Sequence, residues 1–414
     1  MLSKSIVIVG GGPAGMMAAI RAAQLGCNVT LVEKNPILGK KLLLSGKGRC
    51  NLTNACDLDS FLKRFSKNGQ FLRDAFRKFF NKDLMDFFEE RGLKLKVERQ
   101  LRVFPAADKS GSVLKVLKDE LNKNKVRLML KSRAAEILTE DNKIKGLVLS
   151  DRTQIHADSL ILATGGLSYA FTGSTGEGLE FARRSGHNIV KIRPGLVPLE
   201  TRQKLPRLLQ GLTLKNIRLR FSDAKKEIVS DVGELLFTSF GISGPLVLSL
   251  SGEIADWLNE GKKVFVEIDL KPALSKEQLD ARILREFKLN PKKSIKNTLK
   301  SLLPQKLIGV SLEIAGIDPE KKVSQVAQEE RKKLIDLFKS FRLDILKTSP
   351  IEEAMVTRGG ISLKNIDPHT MESRLIRGLY FAGEMIDIDA DTGGFNLQAA
   401  FSTGYLAGES AALN

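Results

Sequence analysis

The stretch Ile6-Val7-Ile8-Val9-Gly10-Gly11-Gly12-Pro13-Ala14-Gly15, followed by an alanine-rich run and by Val29-Thr30-Leu31-Val32-Glu33, decides the fold. Short apolar runs bounded by glycine predict buried strands, and the alanines between them predict a helix. Within the G-x-G-x-x-G frame, Gly10 permits a tight turn, Gly12 lets a pyrophosphate approach the backbone, and Gly15 lets the helix pack on the strand. The helix N-terminus adds free N–H groups and a partial positive charge. Glu33, eighteen residues after Gly15, stands where an acid bonds the hydroxyls of an adenosine ribose. The unit therefore predicts a dinucleotide site, and the acid favours FAD or NAD over NADP.

Downstream, GKKLLLSGKGRCNLTN (39–54) gathers glycines, four cations and side-chain amides without an acid, which suits an anion beside the same cofactor. Residues 61–91 read as one helix. Phe76, Phe79, Phe80, Leu84, Phe87 and Phe88 form its apolar side, and Arg73, Arg77, Lys78 and Lys82 its basic face. A helix at 112–124 precedes strand-like runs at 127–138 and 144–149. A strand at 159–163 then ends in Thr164-Gly165-Gly166, bringing bare backbone close to a cofactor. A helix runs through Arg184. Beyond it the chain is punctuated by Pro194, Pro198 and Pro206, and short strands at 212–221, 227–232, 235–238 and 263–270 predict an antiparallel sheet or barrel over 196–270. Residues 275–342 read as helical. GLYFAGE (378–384) is a strand ending in an acid, and TGGFNLQ (392–398) enters a helix. The two ends of the chain thus build one site, with residues 195–345 inserted between them.

A hydrophobic content of 42% and a mean hydropathy of −0.10 describe a soluble globular protein, and no apolar run reaches the length of a membrane span. The first strand begins almost at Met1, without a secretory leader, so a cytoplasmic location is expected. Cys27, Cys50 and Cys56, with no C-x-x-C pair, fit a reducing compartment and argue against a dithiol-disulfide reductase. His156, His187 and His369 are scattered, so no metal is expected. The net charge of +18 is uneven: residues 1–150 hold 29 basic against 15 acidic residues, and residues 351–414 hold 4 against 9. A field of this sign draws polyanions such as nucleic acid; solvated, lysine-rich helix faces are the other explanation, and composition does not separate the two.

Together GKGRCNLTN (46–54), ATGGLSY (163–169), TGSTGEG (172–178), LVPL (196–199), GISGP (241–245), TMESR (370–374) and GLYFAGEMIDIDADTGGFNLQAAFSTG (378–404) carry a resemblance over nearly the whole chain. The chain resembles the flavoprotein family that includes aminoacetone oxidase, a bile-acid enone reductase and a bacterial ribosomal RNA dihydrouridine synthase. The resemblance implies FAD and an α/β fold. A glutathione-reductase-like FAD-binding Rossmann domain would span 1–195 and 346–414, with an inserted antiparallel β-barrel over 196–271 and part of 340–350, and a helical subdomain over 272–340. It implies that Gly10, Gly12, Pro13, Ala14 and Gly15 hold the pyrophosphate and Glu33 the adenosine ribose. Lys34, Lys41, Gly48, Arg49, Cys50, Asn51 and Ala134 would line the cofactor, with Thr164-Gly165 approaching from the middle strand. Gly383-Glu384 would meet the ribityl-pyrophosphate, and Gly394-Phe395-Asn396-Leu397 would face the flavin ring. Two departures stand out: Ser239 occupies the place of a usual histidine, and Ala170 that of a usual proline.

Without a triad, a metal cluster or a second dinucleotide fingerprint, the chemistry is expected to come from the flavin, with NAD(P)H as a transient reductant. The leading expectation is reduction of a conjugated C=C bond, with hydride from flavin N5 reaching the β-carbon and an acid protonating the α-carbon. The positive charge favours uridine in 23S rRNA over a steroid enone, bound through the basic surface of residues 61–133 and the inserted subdomain. Cys50 is the candidate proton donor, with Arg49 and Lys47 expected to lower its pKa; packing beneath the cofactor is its other reading. A small-molecule amine oxidase and a non-catalytic FAD-containing RNA-binding factor are the rival functions.

Overall fold

The structure, a computed structural model, describes residues 3–223 and 225–414. The chain divides into two compact units, one running to Gly195 and again from Ile351 to Asn414, the other from Leu196 to Pro350.

The first unit is built on a five-stranded parallel sheet of β1 (Ser5–Val9), β2 (Asn28–Val32), β3 (Arg127–Met129), β4 (Ser159–Leu162) and β5 (Leu379–Phe381), in the order β5-β4-β1-β2-β3. Its central strands are apolar and buried almost throughout, as strands covered on both faces are. Two helices matter most: α1 (Pro13–Gln24) and α2 (Phe395–Leu413). Buried nearly all round, α2 lies against α1 at backbone distance. A Cβ on Gly404 would stand 2.2 Å from Ala14 O, and one on Gly408 2.4 Å from Ala18 O. Antiparallel additions decorate this core, among them a meander of Ala134–Glu140, Lys143–Leu149 and Gln154–His156 and a small sheet of Thr53–Asn54, Arg102–Pro105 and Leu95–Val97. Ile189–Gly195 pairs antiparallel with Val356–Ile361.

In the second unit Thr213–Ser222 pairs with both Gly233–Phe237 and Val264–Asp269. The pairings continue through Gly241–Ser243, Leu199–Thr201 and Phe341–Thr348, so the sheet closes into a ring. Alternation fills its inside: Leu219 and Phe221 are buried while Arg218 and Arg220 are exposed. The same unit holds helices at Lys276–Leu289, Gln305–Ala315 and Gln328–Lys339.

Several local expectations are corrected. The single helix over 61–91 is four short pieces, Leu58–Leu62, Gly69–Leu72, Arg73–Lys78 and Asn81–Glu89. Gly69 folds back so tightly that a Cβ there would meet Leu62 O at 2.4 Å, and Phe79 is extended, which ends the third piece. The run 127–138 is two elements, β3 and the first meander strand, separated by a turn in which Lys131 takes φ +54°. Pro245–Asn259, inside the expected all-strand region, is a helix; proline at its first turn and buried Val247, Leu248, Ser251, Ile254 and Ala255 explain it. The helical region ends at Lys339, and the first unit resumes at Ile351 and not at 346, because Phe341–Thr348 belongs to the closed sheet. Among the described residues no helix is long and apolar enough to cross a membrane.

The α1–α2 contact leaves no room for side chains. Gly404→Val should lower stability by about 2 kcal/mol, the usual penalty of overpacking, read as a lower urea midpoint at unchanged m-value.

Candidate functional site

The parallel strands β1, β4 and β5 all end at one edge of the sheet, where ligands of α/β folds bind. Gly10 turns there with φ +110°, and a Cβ on it would meet Ala163 O at 2.4 Å; one on Gly15 would meet Gly10 O at 1.9 Å. The turn is thus locked against the strand-end Ala163-Thr164, while the Cβ direction of Gly12 opens onto free space. No side chain caps α1, so its first-turn N–H groups are left for an anion.

Glu33 is buried and fixed. Its Oε2 accepts from Gly11 N at 2.7 Å, and its Oε1 accepts from Asn35 N and Asn35 Nδ2, each at 2.7 Å. A carboxylate oxygen has capacity for more than one donor, so Glu33 can still accept from a hydroxyl. Ser132 N donates to Glu33 O at 3.0 Å, which brings the Arg133-Ala134 segment alongside. Asn35 Nδ2 also reaches Thr172 O, and Lys34 Nζ donates to Thr175 Oγ1 at 2.7 Å and Glu177 Oε1 at 2.8 Å. The ammonium of Lys34, expected at the cofactor, ties down the 172–177 loop.

The second acid, Glu384, comes just after β5 and sits in a polar network. Lys41 Nζ pairs with its Oε2 and donates to Ser168 Oγ at 2.7 Å; Ser168 Oγ donates to Glu384 Oε1 at 2.7 Å, and Thr357 N donates to the same oxygen at 2.8 Å. Thr357 Oγ1 accepts from the amides of Leu167 and Ser168 and donates to Ser168 Oγ. Burial alone pushes the Glu384 carboxyl up; the Lys41 ammonium and the donors from Lys41, Ser168 and Thr357 outweigh it and hold the pKa below its ordinary value of 4.5. Neither Ser168 nor Thr357 was assigned a role from sequence. Ser168 belongs to the ATGGLSY run (163–169), whereas nothing in the sequence around Thr357 points to Glu384.

At the start of α2, Gly394 takes φ +98° and presses on Thr53, where a Cβ would come within 2.4 Å of the Thr53 carbonyl. With its amide oriented to satisfy donors and acceptors, Asn51 Oδ1 accepts from Gly394 N at 3.0 Å and its Nδ2 donates to Thr53 O at 3.1 Å. Gly48 and Leu397 keep partial exposure beside these groups.

Four assigned side chains do other work. Cys50 is 0% exposed: protein atoms alone cover it and leave no surface to meet cofactor or substrate. Burial pushes its thiol up to about 12, the reverse of the expected lowering. Arg49, expected to act on it, lies over the Phe104 ring at 4.1 Å, pairs with Glu98 and donates to Asp108 Oδ1 at 2.7 Å. The Phe395 ring packs edge-on against Phe61 at 4.7 Å, inside a phenylalanine cluster, and is buried. Asn396 clasps its own loop, accepting from Ala390 N at 3.0 Å and donating to Ala390 O at 2.8 Å. The expected basic face of 61–91 is neutralised as well: Arg73 pairs with Asp59, Arg77 with Asp74, Lys78 with Glu409 and Lys82 with Asp86.

An uncapped α1, an open Gly12 and a fixed acid at the end of β2 fit the adenosine diphosphate half of FAD. The partly exposed backbone around Gly48, Gly165 and Gly394 fits the rest of it. The site defines a flavin-dependent oxidoreductase. The HI0933-like protein Rossmann domain matches residues 4–410, and the chain belongs to that family. It is 33% identical over 411 residues to the 3-dehydro-bile acid delta(4,6)-reductase of Clostridium scindens, covering 98% of each chain. It is 31% identical over 403 residues to the ribosomal RNA dihydrouridine synthase of Haemophilus influenzae, covering 96% of each. In fold it is similar to 3-ketosteroid delta1-dehydrogenase from Sterolibacterium denitrificans, with a TM-score of 0.53, 13% identity, and 99% of this chain matched to 100% of that one.

Lys41→Met should strand a half-buried carboxylate and lower stability at neutral pH by about 2 kcal/mol, discounted from a fully buried pair because both side chains keep some exposure. A depressed folded-state pKa stabilises above the unfolded value and ceases to do so as pH falls through the folded one. The gap between Lys41→Met and the parent in urea midpoints should therefore shrink as pH drops below 4.5.

Proposed function

We propose that this protein is an FAD-dependent reductase of a conjugated C=C bond, fed by NAD(P)H, and that its substrate is uridine in ribosomal RNA. The observation that carries the reaction is near-full-length similarity to two relatives whose names both denote such a reduction, one on a bile acid and one on RNA. The net charge of +18 selects between them, because a polyanion rewards a basic protein through counterion release and a steroid does not.

When bound in a glutathione-reductase-like manner, FAD supplies the hydride chemistry. The chain's own residues bind and orient. The start of α1 holds the pyrophosphate, Glu33 the adenosine hydroxyls, and Glu384, kept ionised by Lys41, the ribityl side. The start of α2 would lie on the flavin side, where its unpaired first-turn N–H groups would favour negative charge on the cofactor. Among the described residues there is one parallel sheet and no second dinucleotide-binding unit, which fits a reductant that visits and leaves. Cys50, sealed in the protein, serves better as packing than as proton donor; Cys50→Ser should keep FAD and turnover, and loss of turnover with FAD retained would restore the donor role.

The 33% identity to the bile-acid enzyme favours a small-molecule enone as the second reading. Anaerobic mixing tests the reaction class. Bleaching of the flavin by NADPH alone is expected, whereas bleaching only by an amine would make the protein an oxidase. A flavin that no reductant bleaches would leave a non-catalytic binding factor. Deletion of the gene should remove a dihydrouridine detected by mass mapping of rRNA; unchanged modification would overturn the RNA assignment.

A further inference from the structure

One rim of the closed sheet in the second unit carries charge without partners. The segment Arg202-Gln203-Lys204-Leu205-Pro206-Arg207-Leu208-Leu209-Gln210 contains no acid, and Arg202, Lys204 and Arg207 are all exposed. Lys306, also exposed, donates to Gln210 O at 3.0 Å and so adds a fourth cation beside the loop. Among the described residues none of these four forms an ion pair. The nearby acids are engaged elsewhere: Glu200 pairs with Lys347, and Asp344 accepts from Gln203 Nε2 at 2.9 Å and pairs with Arg342.

The same rim exposes apolar surface. Leu208 is 68% and Phe240 38% exposed. Thr201 N donates to Phe240 O at 3.1 Å and Gly211 N to Phe237 O at 3.0 Å, which fixes the Phe240 turn to both ends of the cationic loop.

We infer that this rim is a docking surface for single-stranded RNA, with Arg202, Lys204, Arg207 and Lys306 on phosphates and the Phe240 ring as a stacking platform for a base. Unpaired cations around an exposed aromatic ring are the surface that binds a single strand without sequence preference. In contrast, Arg73, Arg77, Lys78 and Lys82 of the 61–91 segment each pair with a carboxylate. The inference rests on RNA being the substrate and names the surface that would hold it.

The test uses the FAD-loaded full chain and a fluorescent uridine-rich single-stranded RNA, with anisotropy measured across a salt series. Each phosphate contact on a single strand contributes about 0.7 to the slope of log affinity against log salt, so Arg202→Ala/Lys204→Ala/Arg207→Ala should flatten that slope by about 2. Phe240→Ala should weaken binding about 10-fold at unchanged slope. The comparison variant Arg73→Ala/Arg77→Ala/Lys82→Ala should bind like the parent. Retained flavin absorbance and an unchanged urea midpoint verify the fold of each variant. If the parent binds RNA and the rim variants match it in slope and affinity, the surface is wrong and the RNA reading stands. If the parent does not bind RNA at all, both fall.

Discussion

The two principal helices of the first unit meet backbone to backbone. Gly404 and Gly408 of α2 lie against the carbonyls of Ala14 and Ala18 of α1 with no side chain between them. This contact joins the two ends of the chain. It runs the two helices parallel with Gly404 level with Ala14, so the first turns of α2, from Phe395, extend beyond the start of α1. The third member of the junction is Gly383, where a Cβ would stand 2.9 Å from Ala14 Cβ, so the segment carrying Glu384 is held to the same helix. The long insertion leaves this arrangement intact because the chain leaves and returns as neighbours: Gly195 pairs with Val356. A unit entered and left through adjacent strands can be large without straining its host.

The legibility of each feature depends on how local it is. The first βαβ unit could be read directly, since strand, turn, helix and acid lie within thirty-three residues and each glycine has a steric reason to be there. The strands of the closed sheet were legible through alternation, as in Arg218-Leu219-Arg220-Phe221. The helix Pro245–Asn259 was not, because its apolar run between two strands reads equally as strand; only the 3.6-residue spacing of its buried positions separates the two. The 61–91 region failed for the opposite reason. Its phenylalanines keep a helical spacing across the breaks, since several short helices turn the same cluster inward: Phe61, Phe65, Phe76 and Phe80 all meet.

Site residues were legible where backbone or position defines the role and illegible where a side chain chooses its partner through the fold. Glu33 and Glu384 show the difference. Both are acids at strand ends, and both could be named from sequence. Yet Glu33 is held by Asn35 of its own turn and by Gly11 of the same βαβ unit, whereas Glu384 depends on Lys41, Ser168 and Thr357, drawn from three distant stretches. A sequence shows the first set as neighbours and the second not at all. The same logic misplaced Arg49 and Cys50. Adjacent in sequence, they suggested a cation activating a thiol, but the backbone at Cys50 turns with φ +62°, and the two side chains part, one to Phe104 and two carboxylates, the other into the core.

Net charge raises the same problem on a larger scale. A count of +18 says that the chain attracts anions, but binding depends on cations that have no carboxylate to satisfy them. Arg73, Arg77, Lys78 and Lys82 contribute to the count and little to a local field, because Asp59, Asp74, Asp86 and Glu409 stand within ion-pair distance of them. The 202–210 loop contributes only three to the count and all three to the field. Pairing, which only the fold reveals, turns a global composition into a local surface, and it directs the nucleic-acid question to cations such as Arg202, Lys204 and Arg207 that form no ion pair among the described residues.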